Sequence, residues 1–152
     1  MPALQDALAP QSICFGCGPA NAKGLRIKSF AQADAVVCDW LPEPHHQAFP
    51  GVLNGGIVGA LLDCHSNWTA IHHLMQRDHL EAAPSCVTAE FAVKLKRPTP
   101  TDGPVHLTAH VASSEGDLVT VEAQLEAGGK VTATCRGVFV RVHPGHPAYN
   151  RW

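Results

Sequence analysis

One carboxylate and one glycine turn near the middle of the chain are the residues best suited to chemistry. Asp63 stands beside Leu62 and Cys64, so folding is expected to strip part of its water shell and make it a working acid or base. A solvated or capping carboxylate is the alternative. Shortly before it, Gly55 and Gly56 leave backbone N–H groups uncovered, which suits an oxygen that carries negative charge.

A single long helix within residues 49–75 is predicted to carry both groups. Its apolar residues recur at steps of three and four positions and form one stripe, which comprises Ile57, Ala60, Leu61, Cys64, Trp68, Ile71 and Met75. Such a helix has about six turns and is roughly 30 Å long. Pro50 and Gly51 break the preceding chain. Asn54 is the expected N-cap, because its side chain can accept a backbone N–H.

The helix geometry separates the two candidate groups. Asn54 and Asp63 point to opposite sides of a helix that turns about 100° per residue, and Gly55 lies about 12 Å from Asp63 along the axis. One copy of the helix therefore cannot place its carboxylate beside its own glycine turn. If the two groups cooperate, a second copy supplies one of them across a two-fold axis. The sequence thus predicts a homodimer with sites between subunits.

Composition restricts the class of protein. The chain has 152 residues, 45% hydrophobic and 16% charged, as expected for one soluble globular domain spanning 1–152. A net charge of −2 provides no basic field for nucleic acid or an anionic membrane. No apolar run is long enough for a membrane span, and the N-terminus lacks a secretion signal, so a cytoplasmic location is expected.

The hydrophobic period changes on both sides of the helix. A strand is expected to begin at Leu25 and Ile27 and to reach Phe30, with a second strand over 35–41 and a loop over 42–50. After the helix, alternation with a period of two predicts four further strands, over 87–95, 105–111, 119–125 and 131–142.

The connections between these strands are also predicted. Residues 113–117 are expected to form a turn, Gly128 and Gly129 a hairpin, and a change of apolar parity near Gly137 suggests a bulge. Residues 1–13 are expected to form a loose arm or short helix, and 143–152 an irregular tail. Two strands, one helix and a four-stranded meander indicate an α+β fold, in which a five- to six-stranded antiparallel sheet wraps the helix.

Cys14 and Cys17 form a C-x-x-C motif in a glycine-punctuated turn. A single motif is half of a zinc site, and the histidine pairs at 45–46 or 72–73 could complete it, although their spacing matches no structural finger. Redox chemistry is a further alternative. We interpret the motif as a structural turn, and no metal is predicted.

The segment from His46 to Gly56, followed seven residues later by Asp63, resembles the H-G-G-x(6)-D block of hotdog-fold acyl-CoA thioesterases of the phenylacetyl-CoA thioesterase type. The run from Cys14 to Pro19, with Asn21, Gly24 and Leu25, is similar to an N-terminal signature of one branch of that family. Thr88 matches the family's Ser/Thr position. The resemblance covers roughly residues 14–142.

This resemblance implies a hotdog fold and hydrolysis of an acyl-CoA thioester. Asp63 would be the nucleophile or the general base, the N–H of Gly55 from the partner subunit would polarise the thioester carbonyl, and Thr88 would hold the water or the carboxylate. The family forms dimers that pair into tetramers. No cofactor is implied, because CoA is part of the substrate. Asn54 stands where the family commonly has histidine, and asparagine can cap and donate but cannot titrate near neutrality.

Further residues are predicted to contact the substrate; these are His46, Gln47, Gly56, Ser66, Asn67, Lys96 and Arg97.

Two other functions share this fold. A hotdog hydratase or dehydratase generally pairs a histidine with an acid, and no histidine stands in this glycine turn. A catalytically silent acyl-CoA-binding protein is the other alternative, since a fold does not establish an activity.

Overall fold

A six-stranded antiparallel sheet curves around one long helix in the computed structural model, which describes residues 1–152. In chain order the elements are α1 (Leu4–Leu8), β1 (Phe30–Ala31), β2 (Val36–Trp40), a 3-10 turn (Pro44–His46), β3 (Gln47–Phe49), β4 (Val52–Leu53), α2 (Gly55–Asp78), β5 (Cys86–Leu95), β6 (Val105–Glu115), β7 (Leu118–Ala127) and β8 (Lys130–Arg141). The strand order is β1-β2-β6-β7-β8-β5, and β3 and β4 pair separately. The predicted α+β architecture is confirmed.

Helix α2 begins and ends as its sequence dictates. The Asn54 side chain accepts the backbone N–H of Ile57 at 3.1 Å and caps the first turn. After 24 residues the helix ends at His79, whose left-handed φ of 53° lets its N–H reach the carbonyl of Met75. The buried face is wider than the predicted stripe, since it also includes Val58, Leu62, His65 and Leu74.

Neither helix is both long and apolar enough to cross a membrane.

A buried polar network joins α1 to α2. His65 is completely buried, and its two ring nitrogens lie 2.8 Å from Ser29 Oγ and 2.9 Å from the carbonyl oxygen of Val36. Burial lowers the pKa of His65 to about 4, so the ring is neutral at pH 7. The buried Gln5 side chain accepts the Ser29 N–H at 2.8 Å. The segment 1–13 is therefore held against the core through α1.

The predicted first strand is wrong over residues 25–29. The N–H groups of Leu25 and Ile27 donate to the carbonyls of Phe15 and Gly16, at 2.8 and 3.0 Å, so this segment pairs with the cysteine turn and not with the sheet. Arg26 has a φ of 56°, which no strand allows. The predicted loop at 42–50 contains the 3-10 turn and the short strand β3.

Two further details of the strands differ from the predictions. Strand β6 continues to Glu115, so the turn predicted over 113–117 contracts to two residues. The β7–β8 register shifts between Leu125 and Glu126, which leaves Thr132 as the extra residue of β8. The bulge therefore lies at Thr132, and not at Gly137 as the parity change suggested. A Cβ on Gly137 would lie 2.7 Å from the Phe139 ring, so this glycine provides room for that ring.

Candidate active site

Asp63 lies on the side of α2 that faces strand β5, and a hydroxyl on that strand holds it. Thr88 Oγ1 donates to Asp63 Oδ1 at 2.7 Å, while Oδ2 has no hydrogen bond within the chain. The carboxylate is half-buried, and burial raises its pKa, although the Thr88 hydrogen bond opposes this rise and the charge of Cys14 adds to it. Asp63 is thus oriented, more basic than an exposed carboxylate, and free at one oxygen.

A bulge in β5 is what brings Thr88 to this carboxylate. Thr88 pairs with Phe139 and Glu90 with Val138 on the neighbouring strand, so Ala89 is an extra residue. Strict alternation would place Thr88 and Phe91 on opposite faces of the sheet. The Phe91 ring also faces the helix, lying 3.9 Å from the Cβ position of Gly59. The predicted unbroken alternation over 87–95 is therefore wrong, and the bulge redirects a side chain beside the site.

The first turn of α2 presents free donors. The backbone N–H groups of Gly55 and Gly56 have no acceptor within the chain, and both residues are exposed. A Cβ on Gly56 would lie only 3.0 Å from Asn54 Oδ1, so a side chain there would crowd the cap. Because α2 is continuous, Gly55 and Asp63 lie about 12 Å apart along its axis. One chain therefore contains both halves of the predicted site without joining them.

The loop before α2 uses two of the predicted substrate residues internally. His46 is 7% exposed, and its ring lies 4.9 Å from the Trp40 ring. Its Nδ1 accepts the N–H of Glu43 at 2.9 Å, its carbonyl accepts the N–H of Asn54 at 3.0 Å, and burial lowers its pKa. The Gln47 side chain donates to the carbonyl of Pro44 and accepts the N–H of Gly51 and the hydroxyl of Thr101. This placement favours a structural role for both residues, in contrast to the predicted substrate contacts.

Two polar side chains one turn beyond Asp63 are left with unused hydrogen-bonding atoms. Ser66 is completely buried and its Oγ has no partner. Asn67 donates to the carbonyl of Cys86 at 3.2 Å, while its buried Oδ1 has no partner. Buried polar atoms are rarely left unpaired. These two atoms therefore offer contacts to a water or a polar substrate group close to the carboxylate.

The basic residues at the end of β5 lie near the glycine turn. Leu95 Cδ1 is 3.4 Å from the Cβ position of Gly55, and the exposed Lys96 and Arg97 follow directly. Neither forms a salt bridge within the chain. Arg97 also lines a groove of about 410 Å³, together with Gly51, Val52, Pro98, Pro100, Ala127, Gly128, Lys130 and Thr132.

Comparisons with known proteins agree with this architecture. No protein-family model matches the sequence, and a comparison with curated proteins finds no match. Among solved structures, the chain is similar to a thioesterase superfamily protein from Shewanella loihica, with 28% identity, a TM-score of 0.66, and coverage of 82% of this chain and 98% of that one.

Two more distant structures support the fold alone. A phenylacetic acid degradation-related protein from Ralstonia eutropha is 22% identical, with a TM-score of 0.66 and coverage of 82% of this chain and 92% of that one. The PaaI protein of the E. coli phenylacetic acid degradation operon is 17% identical, with a TM-score of 0.68 and coverage of 82% and 85%. The resemblance seen in the sequence is therefore confirmed at the level of the fold: the chain has the hotdog fold, and it is similar to solved structures of thioesterase superfamily proteins.

Proposed function

We propose that this protein hydrolyses an acyl-CoA thioester to a free acid and a thiol, with Asp63 as the catalytic acid-base or nucleophilic group. The half-buried carboxylate that Thr88 holds by one oxygen, with the other oxygen free, is the observation that supports this function most. Either Asp63 removes a proton from an attacking water, or it attacks the carbonyl carbon directly. The C–S bond then breaks and the CoA thiolate leaves and takes up a proton. On the second route the acyl group stays on Asp63 as an anhydride, which water hydrolyses to the free acid and the carboxylate. CoA enters as part of the substrate, so no separate cofactor is required.

The oxyanion that forms on the carbonyl needs fixed donors, and the free N–H of Gly55 is the proposed one. A preorganised donor of this kind typically contributes about 3–4 kcal/mol to the transition state. Since Gly55 and Asp63 are far apart on one helix, the donor is assigned to the partner subunit of a homodimer. Asn54 is assigned to the cap that aims this N–H, because its Oδ1 is already engaged with Ile57.

Strand β5 offers the surface for such a dimer. It is the ten-residue outer strand of the sheet, and it pairs only with β8. An unpaired edge of this length invites a second strand. Phe91 and Leu95 on this strand are 43% and 59% exposed, although both face the first turns of α2. Antiparallel pairing of two β5 strands would cover these side chains and set each glycine turn against the partner. Pairing of two dimers remains a prediction from the resemblance.

Replacing Phe91 with glutamate is expected to convert the dimer into monomers. The substitution places two like charges near the two-fold axis and removes apolar area from the proposed interface. Light scattering after size exclusion would give a mass near the single-chain 16.2 kDa instead of twice that value. Leu118→Glu is the matched control, because Leu118 is also exposed but begins β7. A folded Phe91→Glu protein that stays dimeric would show that β5 is not the interface.

The exposed Lys96 and Arg97 are proposed to contact the phosphates of CoA, together with Lys130, which lines the same groove as Arg97. Ser66 and Asn67 are proposed to contact the reacting water or the acyl group, since their free atoms lie on the Asp63 side of α2. Gly56 contributes a second free N–H beside Gly55.

The proposed partners are the substrate and a second copy of the chain. Neither nucleic acid nor a membrane is proposed as a partner, and a cytoplasmic location remains an expectation.

A thiol-release assay with short, long and aryl acyl-CoAs tests the activity. We expect at least one substrate to release CoA thiol in proportion to enzyme concentration. A silent binding module would retain acyl-CoA without releasing thiol, as equilibrium dialysis would show. A hydratase would consume an enoyl-CoA without releasing thiol, and no histidine is hydrogen-bonded to Asp63 to support that chemistry. Either outcome would contradict the proposed function.

A further inference from the structure

Three cysteine side chains converge where the N-terminal turn packs on the middle of α2. Cys14 and Cys17 lie in this turn, and Cys64 follows Asp63 on the helix. The Sγ atoms of Cys14 and Cys64 are 3.8 Å apart, and all three sulfurs lie within 4.8 Å of one another. A tetrahedral zinc site with Zn–S bonds of about 2.3 Å places its sulfurs about 3.8 Å apart. The three sulfurs are thus close enough together for all of them to bind one ion.

Glycines allow the turn to approach the helix this closely. A Cβ on Gly16 would lie 2.3 Å from Cys64 Sγ, and one on Gly18 would lie 2.4 Å from the backbone N of Cys14. A Cβ at position 16 would displace the Cys64 thiol, and one at position 18 would collide with backbone, so glycine suits both positions. The turn is also closed by the N–H of Gly18, which donates to the Cys14 carbonyl at 2.8 Å. The cluster is therefore built into the fold and is not a chance meeting of flexible side chains.

An indole N–H group is directed at one of these sulfurs. The Trp68 Nε1–H donates to Cys17 Sγ at 3.3 Å. Donors to a thiolate stabilise its negative charge and orient it, as the outer shell of a metal site does.

The other cysteines show what buried thiols look like elsewhere in this protein. Cys38 and Cys86 each stand apart from the cluster, and burial raises the pKa of each to about 12. Burial likewise raises the pKa of Cys135 to about 11. These three are ordinary apolar core residues. The convergence of three thiols is therefore particular to Cys14, Cys17 and Cys64.

A disulfide explains this arrangement less well than a metal ion. A disulfide would join only two of the three sulfurs and leave the third without a function. Its sulfurs carry no negative charge, so the Trp68 indole N–H at Cys17 Sγ would have no charge to stabilise. Histidine, which the sequence offered as a partner for the C-x-x-C motif, does not reach it. The third ligand is a cysteine from α2.

We propose that Cys14, Cys17 and Cys64 bind one thiophilic metal ion, Zn²⁺, as three thiolate ligands, with water in the fourth position. Each thiol that is protonated beforehand releases its proton on binding. The ion joins the N-terminal turn to α2 one residue from Asp63, and so fixes the helix where the proposed carboxylate stands. This site does not depend on the proposed activity. The Asp63→Asn protein is expected to bind the same amount of zinc.

Cobalt and zinc titrations of the reduced, metal-free chain test the site. We expect one Co²⁺ per chain, a near-ultraviolet thiolate-to-cobalt absorption band, displacement by Zn²⁺, and a higher Tm with zinc. Cys17→Ser is expected to weaken zinc binding by about 100-fold or more, as for loss of a contact at a metal site. Cys38→Ser is the matched control and should bind like the unaltered chain. Absence of the band, or equal affinity for both variants, would overturn the proposal.

A second measurement needs no variant and so does not depend on whether Cys17→Ser folds. The folded chain is alkylated with and without zinc, and the labelled cysteines are then identified by mass spectrometry. Zinc is expected to slow labelling of Cys14, Cys17 and Cys64 and to leave the other three unchanged. Uniform labelling with and without zinc would reject the site. So would recovery of two cluster cysteines as a disulfide from freshly lysed cells.

Discussion

Replacing Asp63 with asparagine is expected to lower kcat for thioester hydrolysis by about 10²–10⁴-fold, the range for loss of a positioned base. This corresponds to about 3–5 kcal/mol of the activation barrier. The amide keeps the shape of the carboxylate, and its Oδ1 can still accept the Thr88 hydroxyl at the position that is now 2.7 Å away. It cannot take a proton from water or attack a carbonyl as an anion. Thiol release with the best acyl-CoA of the panel is the measurement.

The control separates lost chemistry from lost structure. Asp34→Asn removes a carboxylate from an exposed turn between β1 and β2 and should leave kcat unchanged. KM should change little for Asp63→Asn if the acid acts mainly in the transition state. An Asp63→Asn protein with near-normal kcat would show that Asp63 is neither the base nor the nucleophile.

The helix and its N-cap were predictable because their causes are local. Asn54 accepts the Ile57 N–H, as expected of an N-cap, and the glycine turn that follows it is exposed. The hydrogen bond between Thr88 and Asp63 joins residues 25 positions apart. Periodicity alone did not indicate this contact, because the bulge at Ala89 changes which face Thr88 occupies. It was the resemblance that placed Thr88 beside the acid.

The segments that were predicted wrongly depend on contacts between distant parts of the chain. Leu25 and Ile27 alternate like a strand, yet their N–H groups bond to the cysteine turn instead. The same packing brings Cys64 to a motif 50 residues earlier in the chain. In the sequence Cys64 simply belonged to the apolar stripe. A buried cysteine and a ligand cysteine have the same spacing, so only the fold distinguishes them.

Replacing Gly55 with proline is expected to lower kcat by about 10²–10³-fold, the effect of losing one oxyanion donor. Proline removes the N–H, and position N1 of a helix tolerates it because that donor has no partner in the helix. Asn54, the residue before it, has a ψ of 132°, within the range that a following proline requires. Gly55→Ala is the matched control, because it adds a Cβ but keeps the N–H, and it should retain most of the activity.

Mixing the two inactive variants tests whether the site lies between subunits. Asp63→Asn and Gly55→Pro chains are unfolded together and refolded as a one-to-one mixture. In each mixed dimer one site receives both lesions and the other receives neither. Random association makes about half of the dimers mixed, so roughly a quarter of the unaltered activity should return. If each site were built within one chain, every site would carry a lesion and no activity would return.

A double variant tests the same assignment through a loss of activity instead of a gain. When chains carrying both Asp63→Asn and Gly55→Pro are mixed equally with unaltered chains, each site of a mixed dimer contains one lesion. Only the quarter of dimers formed by two unaltered chains stays active, so activity should fall to roughly a quarter of that of the unaltered protein. Sites within single chains would give about half. The 12 Å that separates Gly55 from Asp63 along α2 requires the lower value if both residues act on one thioester.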